Sequence, residues 1–101
     1  MATALLDLKP ERVSPYQRYI TEGVLLDSGN EGSLRKDIWR YLLDHYPQDV
    51  DYQEFLIAIR RFTNDGKMIN KEGFFSMHHE VVIELNQKGA TTPVRVKKTT
   101  A

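Results

Sequence analysis

The apolar positions fall into three stretches with helical spacing, followed by two with strand-like spacing. In the first, Tyr16, Tyr19, Ile20 and Val24 lie on one face of a helix. Ser14 and Pro15 mark its start. The Ser hydroxyl accepts from first-turn amides, Pro suits the first helical position, and Gln17 completes a Ser-x-x-Gln capping box. Asp27-Ser28-Gly29-Asn30 is turn chemistry, so this helix is expected to end near Leu26. The second stretch, Ser33 to about Tyr46, carries Leu34, Ile38, Tyr41 and Leu42 in one stripe. Trp39, Leu43 and Tyr46 widen that stripe, which predicts a central helix, and Pro47 stops it. The third opens at Asp51, a capping residue supported by Glu54. Tyr52, Phe55, Leu56, Ile59 and Phe62 then repeat at helical intervals until Asn64-Asp65-Gly66 ends the pattern.

Two extended segments follow. One is Lys67 to Lys71. The other is about Glu80 to Leu85, where Val81, Ile83 and Leu85 alternate with Val82 and Glu84. Glu72 to His79, with Gly73, reads as the loop between them. This order predicts an α+β domain over 14–88: a three-helix bundle followed by a C-terminal β-hairpin, the winged-helix arrangement. Residues 1–13 read as a flexible lead-in, with Leu5 or Leu8 available to dock on the body. Residues 89–101, Thr-rich with Gly89 and Pro93, read as a basic disordered tail.

Composition narrows the function classes. The chain has 101 residues, enough for one domain and one core. It has no Cys, so a disulfide framework, a thiolate zinc site and a thiol nucleophile are excluded. No apolar run spans a membrane, and no basic segment leads an apolar one at the start, so no signal peptide is expected. Fourteen Lys+Arg balance fourteen Asp+Glu, but unevenly. Setting aside Lys88, Arg95, Lys97 and Lys98 leaves ten bases against fourteen acids in 1–87, a body at −4 followed by a tail at +4. Such asymmetry is a hint of nucleic-acid or membrane-surface contact, and the competing reading is a solvated, disordered terminus.

The residues from 32 to 73 carry a resemblance. Gly32-Ser33-Leu34-Arg35, Ile38, Tyr41-Leu42 and His45-Tyr46-Pro47 resemble helix two of the linker-histone globular domain. Ala58-Ile59-Arg60-Arg61-Phe62 and Gly66-Lys67-Met68-Ile69 are similar to its third helix and first wing strand, and Pro15-Tyr16 with Ile20 to its first helix. The resemblance implies a nuclear, chromatin-associated monomer with no cofactor, whose partner is duplex DNA or a nucleosome. Such domains act through phosphates, where Lys and Arg displace condensed counterions largely without sequence preference. The expected DNA-binding residues are Arg35, Lys36 and Arg40 on helix two, Arg60 and Arg61 on helix three, and Lys67 and Lys71 on the wing strand, with Lys88, Arg95, Lys97 and Lys98 in the tail. Leu56 and Glu72 stand where that family carries Lys, and Phe74 to His79 replaces a small Gly-rich wing. One DNA-facing side is therefore expected, not two.

A second class of function competes. An acidic body with Phe74, Phe75 and Met77 on its wing suits a winged-helix module that binds a nuclear protein partner and has little DNA affinity. At least one of the two Phe residues is expected to fold back onto the core. His78, His79 and Glu80 are metal-ligand types, but neighbours on a strand point to opposite faces, and His45 reads as a half-buried helix residue; no metal site is expected. Val50 to Phe55 resembles the exit of a calcium-binding EF-hand, yet Leu43, His45 and Pro47 would fall at its ligand positions, so that frame fails. No nucleophile elbow, P-loop or His-Glu-x-x-His motif occurs, and the chain is not expected to be an enzyme.

Overall fold

The computed structural model describes residues 7–87. Its elements run α1 (Pro10–Ser28), β1 (Ser33–Leu34), α2 (Arg35–His45), α3 (Tyr52–Asn64), β2 (Met68–Lys71), β3 (Phe74–Met77) and α4 (His79–Gln87). The fold is α+β, with a three-stranded antiparallel sheet in the order β1-β3-β2, a layout compatible with a winged helix.

Helix α1 begins at Pro10, ahead of the expected Ser14, and carries Pro15 inside it. Either proline fits a first helical position, so local signals do not choose between them. Tertiary anchors do. Leu8 is buried in the core. The Arg12 guanidinium donates to the Glu54 carboxylate at 3.0 Å, from the first turn of α1 to the first turn of α3. Ser14 and Gln17 therefore form no capping box; the Gln17 carbonyl accepts from the Thr21 hydroxyl at 2.6 Å. At the other end Gly29 takes the left-handed conformation (φ 64°), and its N–H closes on Leu25 O at 2.8 Å. Leu5 and the segment 89–101 lie outside the described residues.

The core is built from one face of each helix and the inner face of the sheet. Tyr16, Ile20 and Val24 of α1, Ile38 and Leu42 of α2, and Phe55, Ala58 and Phe62 of α3 are wholly buried against Met68 and Met77. Each such large apolar side chain contributes on the order of 1.5–3 kcal/mol. Polar groups inside the body are paired. Among the described residues no buried side-chain nitrogen or oxygen lacks a partner.

Glu22 is buried in the contact between α1 and α2, only 3% exposed. Its carboxylate accepts from Arg18 Nε at 3.0 Å, from the Tyr41 hydroxyl at 3.2 Å and, through a short bond, from the Tyr46 hydroxyl. Tyr46 in turn stacks on Tyr19 at 4.0 Å between centroids. Beside Glu22, Gly23 lets α2 approach: a Cβ there would stand 3.2 Å from Tyr41 Cδ2. A second polar node ties α1 to α3. The Tyr16 hydroxyl accepts from Asp51 N–H at 2.8 Å and donates to Glu54 at 2.9 Å. Asp51 caps α3 as expected, accepting from Glu54 N–H at 3.2 Å.

The sheet departs from expectation in two places. Residues 80–85 are helical, in α4, and the partner of β2 is β3, inside the stretch expected to be a loop. Their valines face inward on a helical arc, Val81 buried and Val82 half-buried, while Ile83 stays 49% exposed. That pattern is helical, and the alternation in sequence is incidental to it. The hairpin closes over two residues, Glu72 (φ 57°) and Gly73 (φ 91°), both left-handed as a type I′ turn requires. Ser33 caps nothing. It pairs with Phe75 in β1, and its hydroxyl donates to Ser28 Oγ at 2.9 Å. Since β1 is only two residues long, Met77 has no strand on that side. Asn30 supplies one with its side chain: its amide donates to Met77 O at 2.9 Å and its oxygen accepts from Met77 N–H at 2.7 Å.

Three stability measurements check these contacts. Glu72→Asn, placing a residue that tolerates φ > 0 at the turn, is expected to add about 0.5–1 kcal/mol in a urea titration. Asn30→Gly keeps the left-handed backbone but leaves Met77 unpaired, and should cost about 1–3 kcal/mol. Burial, reinforced by the contact with Glu22, pushes the Tyr46 hydroxyl up to about 12. Burial raises Tyr41 as well and holds Tyr16 near 12. A tyrosine whose folded pKa lies above its unfolded value of 10.0 contributes stability that is whole below pH 10 and is lost as pH climbs toward 12. Each shifted tyrosine steepens that loss by up to about 1.4 kcal/mol per pH unit. Alkaline unfolding followed by circular dichroism should therefore be cooperative, and less steep in Tyr46→Phe. An unchanged slope in that variant would contradict the assignment.

Candidate nucleic-acid interface

Helix phase decides which basic residues reach solvent. On α2, Ile38 and Leu42 face the core, so Arg35, Lys36 and Arg40 are left exposed. On α3, Phe55, Ala58, Ile59 and Phe62 face inward and Arg60 outward, on a side shared with Gln53 and Asn64. Lys71 ends β2 at the hairpin turn and is exposed. Among the described residues these five cations make no ion pair or side-chain hydrogen bond.

Two further residues expected in the site are already engaged. Arg61 Nη1 meets Asp7 Oδ1 at 3.0 Å, and its Nε lies 3.7 Å from Asp65 Oδ2. Leu8 N–H and then Arg61 hold the Asp7 carboxylate below its usual range. Lys67 donates to Gln17 Oε1 at 3.2 Å, from the foot of the hairpin to α1. Lys88, Arg95, Lys97 and Lys98 lie outside the described residues.

The expected site is therefore divided. Arg60 and Arg61 border a shallow depression of about 450 Å³ that also holds Asp7 and Asp65. Arg35 and Lys36 border a groove of about 580 Å³ between α2, the start of α3 and the hairpin turn, together with Trp39, Tyr52, Asn70 and Phe75. The two depressions differ in charge: carboxylates neutralise the first, while the second has two cations and no carboxylate in its lining. A third depression, near the start of α4, sets Lys67 among Asp65, Glu80 and Glu84.

Among the groove residues that sequence reasoning did not assign to a site are Trp39, Tyr52 and Asn70. Tyr52 and Trp39 fit the apolar stripes of their helices, yet Tyr52 sits at the first position of α3 and overhangs the core, 44% exposed. It meets Trp39 edge-on at 5.1 Å, and Trp39 rests on Phe55 at 5.0 Å. Asn70 spends its side-chain oxygen on Gly73 N–H at 2.9 Å, which leaves its amide N–H groups to donate outward. An aromatic residue directly after a helix cap was the signal available for Tyr52.

The wing residues separate as well. Phe75 folds back onto the core at 8% exposure, as expected for at least one of the two Phe residues, and Met77, offered to a protein partner, is buried at 1%, because both side chains share the inner face of the sheet with Met68. Phe74 stays outside at 48%, on the face it shares with Ile69 at 49%. His45, expected to be half-buried, is exposed, its ring stacked on Tyr41 at 4.1 Å. His78 and His79 stack on each other at 4.4 Å, and the Glu80 N–H donates to His78 Nδ1 at 3.1 Å. Among the described residues no group of three or more His, Asp or Glu is placed to hold a metal ion, and no helix is long and apolar enough to cross a membrane.

Comparison of the chain with protein families, with curated proteins and with solved structures finds no match.

Proposed function

We propose that this chain is a winged-helix domain that binds duplex DNA through its phosphates, with little sequence preference. One observation carries the reading. Arg35, Lys36, Arg40, Arg60 and Lys71 are exposed and unpaired among the described residues, in a body that is acidic overall. Cations on an acidic surface normally find carboxylates; these five do not, and phosphate is the partner that suits them. Helix α3 would enter the groove with Arg60, flanked by Gln53 and Asn64, while α2 and Lys71 meet the flanking backbone. The resemblance to the linker-histone globular domain adds chromatin in the nucleus as the setting.

The second reading is a protein-binding module with little DNA affinity. Ile69 and Phe74, diagonal to each other on the outer face of the hairpin and each about half exposed, favour it. The two readings part on salt and on which variants matter. With about five phosphate contacts, log affinity for a short duplex should fall with log salt at a slope of about −4 to −5. Arg60→Ala or Lys36→Ala should each weaken binding and flatten that slope by about one. Arg61→Ala should do much less, since its charge is spent on Asp7 and Asp65. Ile69→Ser with Phe74→Ser should leave DNA affinity unchanged. No binding at low salt, or a slope indifferent to Arg60 and Lys36, would leave the protein module standing.

A further inference from the structure

Resting on the phosphate-binding reading, we infer that the groove between α2, α3 and the hairpin turn holds an unpaired nucleotide, so that the domain prefers single-stranded or frayed nucleic acid to an intact duplex. The groove differs in kind from a phosphate-binding ridge. Its about 580 Å³ is lined by two cations, Arg35 and Lys36, and by three aromatic rings, Trp39, Tyr52 and the largely buried Phe75. The rings matter because a phosphate contact uses none of them. Tyr52 keeps 44% of its surface in solvent even with Trp39 5.1 Å away, and a large aromatic left so exposed beside cations is a stacking platform without its base.

The remaining polar groups agree. The Asn70 oxygen accepts from Gly73 N–H at 2.9 Å, and no side-chain hydrogen bond engages its two amide N–H donors, which suit the carbonyl and ring-nitrogen acceptors of base edges. The lining holds no carboxylate, although the body carries four more acids than bases, so the charge of the lining itself is positive. In an intact duplex the bases are stacked on one another and their faces are closed. Only an unpaired nucleotide can place a base on Tyr52 and its phosphate on Arg35 and Lys36 together. An acidic peptide would satisfy the cations but leave the rings uncovered, so it is the weaker fit.

The chain carries its own reporter, since Trp39 is its single tryptophan. The full 101-residue chain is titrated with a labelled oligothymidylate strand and with a blunt duplex of equal length, reading label anisotropy and Trp39 fluorescence. The strand should bind more tightly than the duplex and quench Trp39. Tyr52→Leu, which keeps apolar bulk but removes the stacking face, should weaken strand binding about tenfold and leave duplex binding unchanged. Tyr52→Phe should bind the strand like the parent protein, which separates a stacking role from loss of fold. If strand and duplex bind equally and Tyr52→Leu alters neither, this inference falls while the phosphate reading stands. If neither nucleic acid binds, both fall. If polyglutamate quenches Trp39 and displaces the strand on equal terms, the occupant is an acidic peptide and the inference is overturned.

Discussion

A carboxylate buried between two helices sets the geometry on which the rest of this domain depends. Removing one partner of a buried, hydrogen-bonded charge typically costs about 3–5 kcal/mol, a large share of the stability of a small domain. Glu22 is held from three directions, by Arg18 on its own helix and by Tyr41 and Tyr46 at the far end of α2. Gly23 beside it allows the close approach that puts the tyrosine hydroxyls within reach. The pairing fixes the C-terminal end of α2 on α1, and with it the direction in which α2 points. Its opposite end, bearing Arg35, Lys36 and Trp39, is thereby delivered to the start of α3 and the hairpin turn. The groove is a consequence of a contact made at the other end of the same helix.

The second constraint is the shortage of strand. Three strands of two, four and four residues cannot cover one another fully, and the central one, β3, must find partners on both sides. Asn30 fills the gap with a side-chain amide, whose donor and acceptor match those of a peptide group. This explains its left-handed backbone, since Asn is among the few residues that accept φ 71° at low cost. The same economy holds the turn at two residues. Asn70 and Gly73 are thus kept close to the helices and take part in the groove lining.

Local signals were legible where several agreed. For α3 the Asp51 cap, the apolar repeat and Gly66 at φ 81° all mark the same boundaries, and the helix lies where they place it. Where one local signal had a rival, tertiary contacts decided. Pro10 and Pro15 are equivalent candidates for a helix start until Leu8 and Arg12 find α3 and the core. Val81 to Leu85 alternates like a strand, but the strand that β2 needs was only two residues away across the Glu72-Gly73 turn. The exposure of Arg35, Lys36, Arg40 and Arg60 follows from helix phase and was readable. The engagement of Arg61 was not, because Asp7 lies 54 residues away in the chain. The same is true of Lys67 and Gln17, 50 residues apart. Side-chain pairing across such distances has no periodicity to betray it.

Pro15 has a consequence for how α1 comes apart. A proline inside a helix supplies no amide to the carbonyl four residues back, so the hydrogen-bond ladder of α1 is interrupted between Glu11 and Pro15. The turn before it is held from outside, by Leu8 in the core and by Arg12 on Glu54. That turn therefore belongs energetically with the start of α3 more than with its own helix. The long helix is continuous in shape, but its first turn is expected to open together with the α3 cap and ahead of the Glu22 cluster farther along.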